Sequence, residues 1–268
     1  MPGFPLSLGL SVLFISLIIL APLSALFLKA AQLDWPQYWA AISDARVLAS
    51  YRVTLTAALL ASIANAFIGL LLAWILVRYD FPGRRLLDAL VDLPFALPTA
   101  VAGLTLSALY ASNGWIGEWL SALGIRVSYT YGGIVLAMLF TSLPFVVRTV
   151  QPVLADLGPE YEEAASALGA TAGQTFRRVI APALAPALAT GTALAFTRSL
   201  GEFGAIIFIA GNMPYETEVT SLMIFVRLQE YNHAAAAAIA SVVLVASLIL
   251  LLVIQLMQTR YLHRPRGV

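Results

Sequence analysis

The chain has 268 residues, of which 60% are hydrophobic and only 11% charged, and its mean hydropathy is +0.88. Soluble domains are roughly 45 to 50% apolar, so an ordinary soluble fold is excluded and an integral membrane protein is required. A net charge of +1 carries no nucleic-acid footprint, and with no Cys and only His233 and His263, disulfides, thiol chemistry and Cys/His metal clusters are excluded too.

A bilayer core takes about 20 apolar residues per helix. Six stretches qualify: 6–28, 53–77, 93–111, 132–147, 183–210 and 234–257. They are continuously apolar rather than short and alternating, which predicts helices and not a β-barrel. The expected fold class is all-α integral membrane with six transmembrane helices, in a single domain over 1–268. The first stretch has small residues near its end at Ala25 and Ala30, as a cleavable signal has. It lacks a preceding Lys or Arg and exceeds the roughly 7 to 15 residues of a signal core, so it is expected to be retained.

Prolines mark the middle of the chain. Pro94 and Pro98 open the third stretch in DLPFALPTAVAGL, Pro144 lies inside the fourth, and Pro182 and Pro186 open the fifth. Interior prolines remove helical hydrogen bonds and kink helices. A moving gate uses such kinks, and simple membrane-helix packing tolerates them equally.

Between the fourth and fifth stretches lies EYEEAASALGATAGQTFRRVIAP, residues 160–182, which is polar and favours helix. Glu160, Glu162 and Glu163 complement a helix dipole at its start, and Arg177 and Arg178 at its end. Ala164, Ala165, Ala167, Gly169 and Ala170 let another surface approach the backbone. Charge placement alone also fits a plain amphipathic loop helix.

The fifth stretch contains the only ionisable residues inside any of the six, Arg198 and Glu202, spaced to share a helix face. A lone charge at the bilayer centre costs roughly 2.5 to 3.5 kcal/mol, so the two are expected to neutralise one another, either near a gate or as an ion pair between two subunits. Gly201 and Gly204 beside them permit close helix approach. The loop that follows, GNMPYETEVTSLMIFVRLQEYNH, predicts a short interfacial helix over 221–230 with Leu222, Ile224, Phe225 and Leu228 apolar. It reads as a docking surface for an external partner or as a lid on the membrane surface.

Nine arginines fall on one side if six helices alternate: Arg78, Arg84, Arg85, Arg148, Arg177, Arg178, Arg260, Arg264 and Arg266. Lys29, Arg46, Arg52, Arg126 and Arg227 fall on the other. The positive-inside rule then places both termini and the loop over 156–181 in the cytoplasm. No Gly-rich phosphate loop is present, so the chain is not expected to hydrolyse ATP itself.

The run Glu163, Ala164, Ala165, then Gly169 after three positions, then Val179 and Pro182 resembles the EAA loop of type I ABC-importer permeases. Val179 stands for the usual Ile, and Ala181 departs from the usual Leu. The resemblance implies a core over about 50–258 with the first helix as an N-terminal addition. It also implies a coupling helix, carried by Glu162, Glu163, Ala164, Ala165, Gly169 and Arg177, that seats in a cleft of an ATPase subunit. RSLGEFGA and IAGN are similar to sulfate and molybdate permeases, while TEVTSLMIFVRLQEYN and DLPFALPTAVAGL resemble the sulfate/thiosulfate branch.

That branch implies a permease subunit of an ATP-driven sulfate/thiosulfate importer in a bacterial inner membrane, with Arg198, Gly201, Glu202 and Asn212 at the translocation path or gate. The implied partners are a homologous second permease (CysW-like), an ATPase dimer (CysA-like) carrying ATP and Mg, a periplasmic sulfate- or thiosulfate-binding protein and membrane lipid. No nucleic acid, cofactor or metal is implied for this chain. A molybdate or tungstate permease is the alternative within the class, and a stand-alone secondary anion carrier or channel the alternative outside it. The chain shows no inverted repeat of the kind many such carriers carry.

Overall fold

The computed structural model describes residues 4–262, and among them every regular element is helical. In chain order the helices are α1 (Leu6–Ala30), α2 (Trp35–Ile42), α3 (Ala45–Arg78), α4 (Arg84–Val91), α5 (Leu93–Ala96), α6 (Thr99–Tyr110) and α7 (Gly117–Ala122), then α8 (Tyr131–Asp156), α9 (Glu160–Ala167), α10 (Ala172–Leu200), α11 (Ile206–Ile209), α12 (Thr220–Gln229) and α13 (His233–Leu262). Five of them, α1, α3, α8, α10 and α13, are long and apolar enough to cross a membrane.

Local sequence explains the helix boundaries. Asp44 caps α3 by accepting the Arg46 and Val47 amides at 3.0 and 3.3 Å. Two π-turns, Ser16–Leu20 in α1 and Phe176–Ile180 in α10, each come just before a proline, Pro22 and Pro182. A proline lacks the amide and crowds the carbonyl four residues back, and widening the turn relieves both problems without ending the helix.

The core is the triple packing of α3, α8 and α10. Val146 of α8 sits between Gly69 of α3 and Gly191 of α10: a Cβ on Gly69 would lie 2.7 Å from Val146 Cγ1, and one on Gly191 2.9 Å from Val146 Cα. Small residues on both neighbours therefore let three backbones approach closely, the usual device of membrane helix packing. Around them Ala73, Leu76, Val147, Val150 and Leu184 form one buried cluster, and Ala57, Ala61, Ile134, Met138 and Ile206 another.

Two of the six expected spans are not continuous. The third, expected over 93–111, breaks at Leu97, which adopts an extended ψ of 134° between α5 and α6. Pro98 disfavours helical geometry at the residue before it. What remains, α6, has 12 residues, about 18 Å of helix at 1.5 Å per residue, short of the roughly 30 Å hydrocarbon core. The fifth, expected over 183–210, starts earlier, at Ala172, and stops at Leu200. Residues 201–205 are irregular and α11 follows. The two interrupted segments pack on each other, with Gly103 against the Ala205 backbone and Gly204 against Thr99.

Charges gather at two ends of the bundle. Asp44, Arg46, Glu218, Arg227 and Glu230 meet at one end, and Arg78, Asp88, Asp92, Arg148 and Glu162 at the other. This is the grouping that alternating spans require. Arg264 and Arg266 lie outside the described residues, as does the side chain of Arg260. The helix expected over 221–230 is present as α12.

Candidate functional site

The loop between α8 and α10 is held by a single arginine. Arg78, in the last turn of α3, donates through Nη2 to the Leu157 carbonyl at 2.8 Å and lies 2.9 Å from Glu162 Oε1. Its guanidinium also stacks over Trp74 at 5.7 Å, and Trp74 meets Phe176 edge to face. The C-terminal end of α8, the loop helix α9 and the start of α10 are thereby tied to one point on α3.

Glu162 is thus turned inward, as a tether, while Glu163 and Ala164 are exposed and Ala165 is half-buried. Tyr161 and Ala164 on α9 and Leu168 at its C-terminal cap, spaced three and four apart, form an exposed stripe; Tyr161 is 51% and Leu168 89% exposed. Leu168 was not singled out in the sequence, although it sits one place before the motif glycine. The 160–182 segment is two helices and not one. Gly169 adopts φ +80°, its amide bonds the Ser166 carbonyl, and the Ala170 amide bonds that of Ala165, which is the paired closure of a glycine-terminated helix. A Cβ on Gly169 would meet nothing within 4 Å, so its role in the fold is conformational. Thr171 then restarts the chain through a reciprocal cap with Gln174. Arg177 and Arg178 consequently belong to the first turns of α10, exposed to solvent, and not to the end of α9.

Arg198 and Glu202 do meet. Arg198 Nη1 lies 2.8 Å from Glu202 Oε2, with the glutamate side chain buried and the arginine one-third exposed. They do so across the end of α10 and not along a helix face, because the helix has stopped before Glu202. The other carboxylate oxygen, Oε1, accepts the Ala205 amide at 3.0 Å, while the Glu202 carbonyl accepts the Ser221 hydroxyl at 2.8 Å. Glu202 therefore satisfies a backbone group in an irregular segment, which buried irregular chain requires. Arg198 has five N–H donors and spends its charge on one carboxylate.

Of the two glycines expected to permit close approach, Gly204 does so against Thr99, whereas Gly201 is exposed with open space around its Cβ position, and Gly103 makes the matching approach from the facing segment. Asn212 lies in a turn at φ +50° with its Oδ1 buried and unpartnered. No hydrogen bond or ion pair joins it to Arg198 or Glu202 among the described residues.

A buried polar cluster beside Arg198 escaped the sequence reading. Asn65 Nδ2 donates to the Leu139 carbonyl at 3.0 Å and to Ser142 Oγ at 2.8 Å, and Ser199 Oγ donates to Ser142 Oγ at 3.2 Å. All three side chains are fully buried. A lone Asn in the long second stretch was the available signal, since an amide in hydrocarbon needs partners on other helices. Asn65 lies between the two charged ends of α3, at Arg46 and Arg78, so Ser199 and the adjoining ion pair lie deep in the bundle.

The two charged ends are built differently. Glu218, buried, receives both Arg46 Nε and Nη2 at 2.7 and 2.8 Å, and Thr54 Oγ1 accepts the Thr220 amide at 2.9 Å, together fixing the start of α12 against α3. At the loop end, Arg148 bridges Asp88 and Asp92 at 2.6 Å each. Hydrogen bonding from that guanidinium holds the Asp88 carboxyl below the usual carboxylate range.

Comparison with known proteins gives consistent results. The family described as "Binding-protein-dependent transport system inner membrane component" matches residues 65–266. "Sulfate transport system permease protein CysT" of Escherichia coli (strain K12) is 64% identical over 267 residues, spanning 100% of this chain and 96% of that protein. "Probable sulfate transport system permease protein cysT" of Nephroselmis olivacea is 49% identical over 250 residues, 93% of this chain and 88% of that protein. Among solved structures, one chain of a bacterial alginate ABC transporter, in complex with an alginate pentasaccharide-bound periplasmic protein, superposes with a TM-score of 0.78 at 22% identity, over 98% of this chain and 95% of that chain. At that identity the likeness is one of fold.

Proposed function

The chain belongs to the family of inner membrane components of binding-protein-dependent transport systems, and from that premise we propose that it is the permease subunit of an ATP-driven importer of sulfate or thiosulfate. The 64% identity over the whole chain to a sulfate transport permease supports the cargo. The energetics of a dianion support the ATP. Moving one charge against an inside-negative potential costs about 2.3 kcal/mol per 100 mV, so a dianion faces about 4.6 kcal/mol before any concentration gradient.

The observation that carries the mechanism is the loop helix α9. It is anchored to α3 through Arg78 and Glu162 and exposes Tyr161, Ala164 and Leu168. An amphipathic helix held rigidly at its polar side and open at its apolar side is built to seat in a groove. We infer that the groove belongs to an ATPase that carries ATP and Mg, with Glu163, Ala164, Ala165 and Leu168 at the contact and Gly169 ending the helix. Motion of the ATPase then reaches α3, α8 and α10 through the Arg78 anchor. The loop and both termini face the cytoplasm, and α12 faces a periplasmic binding protein. A second permease subunit, homologous to this one, completes the path. Arg198, positioned by Glu202 and with N–H donors left over among the described residues, lies beside that path, with Gly201 at its rim.

Uptake of labelled sulfate, thiosulfate and molybdate by the reconstituted complex tests this reading. Sulfate or thiosulfate uptake that needs a co-expressed ATPase and stops with vanadate is expected. Preference for molybdate would reassign the cargo, and uptake without an ATPase would make the chain a carrier.

A further inference from the structure

A second charged feature stands outside the coupling and path residues. Helix α4 is strongly two-sided. Leu87 and Val91 pack into the core, Arg84 pairs with Asp80, and Asp88 pairs with Arg148. On the outward arc Leu86 and Leu90 are 65% and 49% exposed, and Leu93, the first residue of α5, continues the stripe at 39%. Arg85 borders this stripe, is exposed, and makes no ion pair or hydrogen bond among the described residues. A cavity of about 540 Å³, lined by Arg84 and Arg85 together with Asp80 and Asp88, opens beside it. Arg84 takes Asp80 and Arg148 takes both Asp88 and Asp92, so the cluster is balanced in number, and Arg85 is its one guanidinium with no carboxylate on it among the described residues.

We propose that α4 lies in the headgroup layer on the loop side of the membrane and binds an anionic phospholipid, with acyl chain over Leu86, Leu90 and Leu93 and phosphate on Arg85. A leucine stripe flanked by a free arginine matches a lipid in both respects, because burial of the apolar arc and attraction of the phosphate act on the same molecule. The site is also placed to matter. Through Asp88 and its capping residue Asp92 on Arg148, and through the loop over 80–83, α4 braces the same ends of α3 and α8 that hold the loop helix α9.

The assembled complex in nanodiscs tests this. The chain has no Cys, so Leu86→Cys, with cysteine-free partner subunits, gives one position for a fluorophore. Strong quenching by lipid-borne nitroxide and weak quenching by aqueous iodide are expected, with and without the ATPase bound. Retention of phosphatidylglycerol over phosphatidylcholine through purification should fall about fivefold in Arg85→Gln, the effect of one interfacial cation, and return in Arg85→Lys. Iodide access in lipid, shielding that appears only when the ATPase binds, or unchanged lipid preference in Arg85→Gln would each overturn the proposal.

Discussion

Arg78 Nη2 stands 2.9 Å from Glu162 Oε1, and this contact joins the last turn of α3 to the loop helix α9. The pair is partly exposed, so its direct energy is small, about 1 kcal/mol or less. Its value is geometric. Arg78→Ala and Glu162→Ala should each leave the protein inserted yet weaken ATPase recruitment. Their effects should be less than additive in a double-mutant cycle read by detergent pull-down. Full additivity would mean that the tether does not position the helix.

Leu168→Glu should abolish that recruitment more completely, because a charge replaces the highly exposed apolar side chain that caps α9. Uptake and ATPase binding are expected to fall together while membrane insertion stays normal. Normal binding in this variant would move the contact elsewhere.

Gly169 calls for a different experiment. At φ +80° any side chain is strained even though the space around it is open, so Gly169→Ala should cost about 1 to 2 kcal/mol. The expected readout is faster amide exchange over 160–170 with little change in the spans. An unaltered exchange pattern would argue that the glycine is required by a partner surface instead.

Orientation follows from charge. A fusion of alkaline phosphatase after Arg178 is expected to be inactive and one after Met213 active. The reverse pattern would invert the whole assignment.

For the deep ion pair, the structure separates two contributions that a simple alanine cycle merges. Glu202→Ala removes both the partner of Arg198 and the acceptor for the Ala205 amide, so it should damage expression more than Arg198→Ala. Glu202→Gln keeps an acceptor and loses only the charge, and it should express better than Glu202→Ala while still losing sulfate uptake. Equal expression of the two Glu202 variants would show that the carboxylate does not support the turn.

Asp88 gives a pH dependence with a definite sign. Its native pKa is lowered by Arg148, so the unfolded chain binds the proton more readily. The resulting stability is fully present above the unfolded value near 3.9 and is lost as pH falls through the lowered native value. With half-exposed partners the amount is about 1 kcal/mol or less. Asp88→Asn should therefore lower thermal stability slightly at neutral pH, and the deficit should shrink as pH falls through the native value, leaving the variant with a flatter acid limb. An identical acid limb in the variant would discard the linkage.

The long spans were legible in the sequence because hydropathy reports transfer from water, and α1, α3, α8 and α13 are continuous in that respect. The same measure failed over 201–210. IIFIAG is as apolar as any helix, and nothing in its transfer energy says that the chain has left helical geometry at Gly201. The break at Leu97 had a local signal in Pro98, whereas the pairing of Gly103 with Ala205 joins segments a hundred residues apart and leaves no local trace. In the loop, the motif spacing located α9, but which glutamate faces inward depended on Arg78, over eighty residues earlier.

Val146, lodged between the bare Cα positions of Gly69 and Gly191, has a mechanical consequence. A branched side chain in such a notch acts as a key in a slot: α8 cannot slide past α3 or α10 without first lifting away from both. The three helices are therefore keyed to move together, so that a displacement at the Arg78 end of α3 is shared with α8 and α10. Bending has further places to occur at Leu97 and at residues 201–205, where the backbone is already open, besides the interior prolines Pro144 and Pro152 of α8 and Pro186 of α10.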